Sequence, residues 1–474
     1  MFRFTGFRDG HCHPLFSARE SNGPDIGGLS TLAEVQAQLA DYLVANPACE
    51  WLDCGSFTPD LVPMGGLHRS LLDTISTTVP IVVHAADHHS IWVNSAALRA
   101  AGLLANMPSI ANATIEVDSA GVPTGIIREW DAMKLVYAHQ PAPSLESDIA
   151  AILRAQERLL AGGIVAVQEA WIDQGMPESY LECAARGELK IRVNLAPRID
   201  VADWPANLNF AKATRSSVRN LGNELLTCNT VKIFIDGVIG SCTALFHAPY
   251  QDGSKASAIW QQDDLNALAL AADNAGFQLH FHAIGDAAVD QAISAIDFLD
   301  QTNGFVDRRP VIAHGEAVSP EAITRARQLG IVFCQQPAWA TDGASLDQAR
   351  DVIGVDAAQR MYPIASLMAG GVTVSFGSDW PVSPPEPLLG LQTAVTRMAP
   401  GSSLKPLNQY EAISASQALV AYSLNAAFQL GQELVAGQDW VVLDTDVTAC
   451  PPEEIHRARV LEVGVAGHLV WQAE

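Results

Sequence analysis

The sequence predicts a (β/α)8 barrel, a TIM barrel of the α/β class. A long insertion follows its first strand, and a small β appendage, a complete or incomplete β-sandwich, follows the last. Three observations carry this prediction. Short apolar, β-branched runs alternate with Ala-rich helical stretches, the pattern of a parallel sheet with crossover helices. The number of such runs is eight, as a closed barrel requires. The 474 residues suggest several domains at ~150 residues each, yet one barrel with insertions runs past ~400.

The first strand, Phe7 to His13, lies almost at the start. The others are Ile164–Gln168, Ile191–Ala196, Val231–Ile235, Gln278–His282, Pro310–His314, Ile331–Cys334 and Val372–Phe376. Helical windows separate them at Leu145–Gly162, Asp263–Gly276, Ala287–Thr302, Pro320–Leu329 and Ala357–Ala369. Several close on glycine, as a helix C-terminus does: Gly162, Gly276, Gly330 and Gly370. The stretch of about 17–143 far exceeds a loop of ~2–6 residues, so it is an insertion with structure of its own. Within it, Ile81-Val82-Val83 reads as a strand and Asn94–Ala101 as a helix. The barrel with its insertion is therefore assigned to 1–430. The remaining 431–474 is a β appendage with strands at Val441–Leu443, Val460–Val465 and Leu469–Trp471.

Composition narrows the function. Lys and Arg number 28 against 52 Asp and Glu, yet only 17% of residues are charged and 49% are hydrophobic. A disordered chain needs the reverse, low hydrophobicity with high charge. Phosphate binding needs clustered Lys and Arg, so the −24 balance excludes nucleic acid as a partner. No run reaches the ~18 apolar residues of a membrane span, so no membrane partner is expected. The start lacks an apolar core long enough for a signal peptide. Eight scattered cysteines without a CxxC pair fit a reduced chain, and the expected location is the cytoplasm.

A barrel of this kind places its active site at the C-terminal ends of its strands. Polar residues stand at several of those ends. The first strand closes on His11-Cys12-His13, and residues two apart in a strand face the same side, so both imidazoles can reach one metal ion. Lys232 interrupts the apolar fourth strand, where a lysine is costly unless paired or neutralised; the chain has six lysines in all. The fifth strand carries His280 and His282, the sixth ends on Ala313-His314, and Gly377-Ser378-Asp379 follows the eighth. Taken singly, an HxH is often coincidence and a lone His after an apolar run is often a satisfied core residue. Their order on separate strand ends converges on one mouth.

Here the chain resembles the amidohydrolase superfamily over nearly its whole length, closest to the branch containing N-substituted formamide deformylases. The motifs are Asp87-His88-His89-Ser90-Ile91-Trp92-Val93-Asn94-Ser95, Pro123-Thr124-Gly125-Ile126-Ile127-Arg128-Glu129 and Val231-Lys232-Ile233-Phe234-Ile235-Asp236-Gly237. They continue as His282-Ala283-Ile284-Gly285-Asp286 and Gly377-Ser378-Asp379-Trp380-Pro381-Val382. The resemblance implies that His11, His13 and Asp379 hold one zinc and that His282 and His314 hold a second. Lys232, carboxylated by CO2 to a carbamate, would bridge them; a one-zinc variant would leave Lys232 unmodified. A water between the metals would have its pKa lowered toward ~7, with Asp379 as the catalytic proton acceptor. The implied reaction is hydrolysis of a non-peptide C–N bond in a small molecule, an amide or N-formyl or N-acyl amine. Deamination, cyclic-amide hydrolysis or ester and lactone hydrolysis on the same site are the alternatives, as is a catalytically poor binding or assembly relative.

By the same resemblance His89 and Trp92 contact substrate, in an insertion that would cover the mouth. His280 is expected as a buried neighbour of the site, and Arg128 and Glu129 as structural ion-pair partners. The chain departs from relatives in opening within a few residues of His11, in Ala313 where they commonly carry Glu, and in Cys242 where they often carry Arg. Either the start is assigned too far downstream or the sandwich is reduced. In the second case unpaired strand edges would need covering, as in a homodimer.

Overall fold

A computed structural model describes residues 1–57, 61, 66–110 and 113–474. The chain forms two compact units, one of Met1–Leu15 with Leu145–Glu474 and one of Phe16–Ser144.

The first unit is built on eight parallel strands: Phe7–Cys12, Ile164–Ile172, Arg192–Ile199, Thr230–Phe234, Gln278–Ala283, Val311–His314, Val332–Gln335 and Thr373–Phe376. They are hydrogen-bonded in that order from first to eighth, with Leu226–Thr227 adding a short parallel strand beside the third. The eighth and first strands meet mostly beyond their regular ends, making a nearly closed (β/α)8 barrel. The Asp379 and Trp380 segment supplies the seam: Asp379 N–H donates to His11 O at 2.7 Å, and His13 N–H to Trp380 O at 2.8 Å. Buried Asp9 adds to it, accepting from Ser378 N–H at 3.0 Å and Ser378 Oγ at 2.5 Å. Only glycine fits at 377, because a Cβ there would run into the His11 backbone.

Local chemistry explains the helices between the strands. Leu145–Ala161 carries Glu146 and Asp148 in its first turn and Arg158 in its last, in line with the helix dipole. It stops at Gly162-Gly163, where Gly163 turns back with φ of 83°. Pro320–Gln328 starts at Ser319, whose hydroxyl accepts from Ala322 N–H, with Pro320 in the first turn where its missing N–H costs nothing. The window 357–369 is not one helix. It forms Val355–Ala358 and Ile364–Ala369, because Pro363 cannot continue a helix and the residue before it, Tyr362, is held at φ of 58°. Helices at Pro177–Ala185, Trp204–Leu221 and Pro387–Thr396 complete the ring and were not among the expected windows.

A belt of neutral polar groups crosses the lower barrel interior. Gln168 and Asn194 face each other in register, and so do Thr230 and Gln278. Asn194 Nδ2 donates to Gln168 Oε1 and Thr230 Oγ1, both at 2.8 Å, and Thr230 Oγ1 donates to Gln278 Oε1 at 2.8 Å. Gln278 Nε2 donates to Gln429 O, and Gln429 Nε2 to Gly10 O, which carries the belt round to the first strand. Buried amides satisfied in this way cost little, whereas an unpaired one costs ~1–3 kcal/mol.

The appendage is a four-stranded antiparallel sheet of Phe2–Thr5, Trp440–Leu443, Val460–Val465 and His468–Gln472, in that order. The sequence reading placed its strands only after 430 and assigned the first residues to the barrel. Phe2–Thr5 instead pairs with Trp440–Leu443. An alternation of four residues is too short to announce a strand by itself.

The second unit has its own five-stranded sheet, ordered Leu52–Phe57, Ile81–Ala85, Ser90–Val93, Pro123–Arg128 and Thr114–Val117. The first pair is parallel and the rest antiparallel. Each face buries an apolar cluster. One gathers Val35 and Leu39 of helix Leu32–Ala45 with Phe57 and Trp92; the other gathers Leu98, Met133 and Val136 over Val82 and Ile127. Among the described residues no helix is long and apolar enough to cross a membrane.

Candidate metal centre

The barrel brings six expected residues to one place. His11 lies at the end of the first strand, with His13 just beyond it. Lys232 sits in the middle of the fourth strand, opposite His280 of the fifth. His282 follows two residues on, His314 ends the sixth strand, and Asp379 stands three residues past the eighth. All but His13 are buried, and the His13 side chain is 13% exposed.

Their functional atoms converge. Asp379 Oδ1 lies 3.2 Å from His11 Nε2 and 2.9 Å from His13 Nε2. Lys232 Nζ lies 3.3 Å from His11 Nε2. The His282 and His314 rings are 4.5 Å apart, and His11 and His314 4.9 Å. His11, His314 and Asp379 present ligand atoms within 4.8 Å of one another. His314 and Asp379 both hold left-handed backbone, φ of 73° and 55°, a conformation non-glycine residues adopt at some cost and chiefly where function requires it.

Three side chains orient the imidazoles from behind. Gln336 Oε1 lies 2.9 Å from His314 Nδ1, and its own Nε2 donates to Cys334 O, so the amide oxygen is the end that faces the ring. His314 Nδ1 therefore carries the proton and Nε2 the free lone pair. Asp236 accepts from Leu245, Ile284 and Gly285 N–H groups, and its Oδ1 lies 3.3 Å from His282 Nδ1. His280 Nε2 meets His11 Nδ1 at 2.7 Å. His314 and His11 are thus held through Nδ1, which turns Nε2 toward the centre, and Asp236 stands beside Nδ1 of His282; metal-binding histidines are commonly braced this way.

The electrostatics suit a cation. Burial, with Lys232 adding to it, pushes His11 and His280 well below the ordinary histidine value; burial together with His282 does the same to His314. All three are neutral bases at pH 7. Burial brings Lys232 down to about 7. Burial would raise Asp379, but the electrostatics and hydrogen bonds of His11 and then His13 outweigh it and hold the carboxyl well below its usual range. Neutral imidazoles with one ionised carboxylate form a nitrogen and oxygen donor set that fits zinc or a similar dication.

The family model for the amidohydrolase family matches residues 4–471, nearly the whole chain. The chain belongs to the amidohydrolase family. Among its relatives is the YtcJ protein of Bacillus subtilis, itself named only provisionally as an amidohydrolase, at 27% identity over 99% of this chain and 89% of that one. The N-substituted formamide deformylase of Arthrobacter pascens is 26% identical over 98% of this amidohydrolase and 88% of its own length. An uncharacterized metal-dependent hydrolase from Pyrococcus horikoshii shares the fold at a TM-score of 0.70 and 21% identity, covering 95% of this chain and 87% of that one.

Two residues expected at the substrate lie in the insertion unit. Trp92 is fully buried. Its side chain packs in the core beside Phe57, ring centroids 6.2 Å apart. His89 pairs through Nδ1 with Glu129 Oε2 at 2.8 Å. Arg128 reaches Glu116 at 3.5 Å. The roles of Asp236 and Gln336 were not foreseen, since their partners lie far along the chain; period-two alternation had already placed His280 on the His282 side.

Proposed function

We propose that this amidohydrolase is a zinc enzyme that hydrolyses a C–N bond other than a peptide bond in a small amide, an N-formyl or N-acyl amine foremost. One observation carries the reading: four imidazoles, one lysine amine and one carboxylate from five barrel strands and their ends converge on one point. In the proposed centre His11, His13 and Asp379 hold one zinc and His282 and His314 a second. Zinc there supplies Lewis acidity and acidifies water toward a pKa of ~7. Lys232, kept near neutrality by burial, has the free amine that CO2 needs; forming the N–C bond releases one amine proton and leaves an anionic carbamate donor. Asp379 Oδ1, 2.9 Å from His13 Nε2, would take the proton of the attacking water and return it to the leaving nitrogen. His89 and Trp92 are the candidate substrate contacts. The relatives' chemistry supports the choice of amide, since one of them is named for N-substituted formamides. A cytoplasmic location and a homodimer complete the proposal, and size-exclusion chromatography tests the dimer.

The test is to purify the protein with zinc, count the metal, and offer N-formyl and N-acyl amines beside hydantoins, lactones and deaminase substrates. Release of free amine from the acyl amines, lost on chelation and restored by zinc, is expected. Turnover that ignores chelation, or zinc-replete protein inert to every amide, overturns the reading. Native mass spectrometry should find one added CO2, absent from Lys232→Ala.

A further inference from the structure

The insertion unit gathers a second set of metal-ligating side chains. Glu20 ends helix Pro14–Glu20, His84 lies in strand Ile81–Ala85 beside Asp53 of strand Leu52–Phe57, and His88 sits in the turn that follows. His88 Nε2 is 2.9 Å from Glu20 Oε1, and His84 Nδ1 is 3.8 Å from the same oxygen. One ligand atom from each of Glu20, His84 and His88 lies within 4.8 Å of the others. The cluster is largely withdrawn from water: His84 is buried, and the His88 and Glu20 side chains are 17% and 14% exposed.

The two rings are braced as the barrel imidazoles are. His84 Nε2 meets Asp53 Oδ1 at 2.7 Å, and Asp53 Oδ2 in turn accepts from Gln140 Nε2 at 2.7 Å. Asp53 thus takes the Nε2 side of His84, and Nδ1 is the ring nitrogen turned toward Glu20. Tyr137 stacks on His84 at 14° and brings its hydroxyl to 3.4 Å from the same Nδ1. His88 Nδ1 lies 3.3 Å from Ala86 O, which accepts the ring proton and leaves Nε2 to face the carboxylate. His88 is held there with φ of 57°. A Cβ at Gly55 would meet Glu20 Oε2 and come within 3.8 Å of His88 Nε2, so glycine keeps this side of the cluster open.

The charge count points the same way. Two carboxylates, Glu20 and Asp53, face two imidazoles whose outer nitrogens already have acceptors. Satisfying Glu20 then requires either an extra proton on the rings or a cation in its place. We propose that Glu20, His84 and His88 form a second metal site, for a dication of the zinc class, with Asp53 as the carboxylate that orients His84. Two imidazoles and one carboxylate, with the fourth position left to water, are a donor set typical of zinc and unlike the all-oxygen sets of calcium and magnesium. The site ties the end of helix Pro14–Glu20 to the strand and turn of 81–88. It is separate in residues from the barrel centre and does not depend on that reading.

The test uses the full-length protein, stripped by chelation, reloaded with Zn2+ and crystallised with zinc in excess. Anomalous diffraction at the zinc edge should place a peak among Glu20, His84 and His88, while the same map reports on the barrel residues independently. Elemental analysis after gel filtration should find one equivalent less zinc in His88→Ala and in Glu20→Gln than in the wild type. His314→Ala should keep the equivalent that those two lose. Asp53→Asn should weaken zinc binding at this site by ~10–100-fold. No anomalous peak here at saturating zinc, or the same zinc content in His88→Ala, Glu20→Gln and wild type, overturns the proposal and leaves a cluster held by protons.

Discussion

At the level of Gln168, Asn194, Thr230 and Gln278 the barrel interior is lined by neutral amides and hydroxyls; two residues further along the strands of Thr230 and Gln278 it is lined by ionisable groups. Thr230 gives way to Lys232 and Gln278 to His280, roughly 6–7 Å nearer the C-terminal end. Burial is similar at both levels. What differs is how the polar atoms are used. In the lower layer the donors and acceptors are matched to one another, so the groups are spent on closing the barrel. In the upper layer His11 and His314 are held through Nδ1 while Nε2 faces the centre, and buried His280, held through Nε2, has no hydrogen-bond partner for its Nδ1 among the described residues. A satisfied polar layer stabilises, and a layer with spare lone pairs can bind.

The largest expected effect lies in the upper layer. Asp379→Asn should cut kcat by ~10²–10⁴-fold, the range for removing a group that moves the reacting proton. Circular dichroism should show the fold retained; full activity in this variant would end the division between the layers. Next comes the lower layer. Asn194→Ala strands its partners on Gln168 and Thr230, and at ~1–3 kcal/mol for each buried group the loss of stability should be roughly 2–4 kcal/mol. Denaturant titration measures it, and zinc content should stay at the wild-type level. Gln336→Leu removes the acceptor for His314 Nδ1 and should weaken metal binding by ~10–100-fold, read by competition with a chromophoric chelator. An unchanged affinity would mean that the brace does not set the ring. Thr230→Ser, which keeps both hydrogen bonds of the hydroxyl and loses one buried methyl group, should be the mildest, about 1 kcal/mol, with normal turnover.

The two layers were not equally legible in the sequence. His11-Cys12-His13, a lysine inside Val231-Lys232-Ile233, and His314 after Val311-Ile312-Ala313 each stand out because an ionisable group in an apolar run needs a reason. Strand ends are also short, so the period-two rule places them without knowledge of the whole. Gln168 and Asn194 sit in equally apolar runs, but neutral amides are unremarkable there and their partners lie on other strands. The same distance hid the roles of Asp236 and Gln336, whose motif neighbours could be read but whose target rings lie 46 and 22 positions away. Trp92 shows the opposite limit: its motif is visible, but a motif does not say which face of a strand looks into a core.

The pairing of Phe2–Thr5 with Trp440–Leu443 has a consequence for synthesis on the ribosome. The strand that carries His11 is made well before the segment that clasps the residues preceding it, and well before the Ser378–Trp380 turn that seals its end. At ~5–20 residues per second that separation lasts roughly tens of seconds. Throughout it the first strand is an open edge. The ring of strands therefore closes long after it is begun, and a nascent chain halted between the first strand and Ser378 carries a barrel that cannot close.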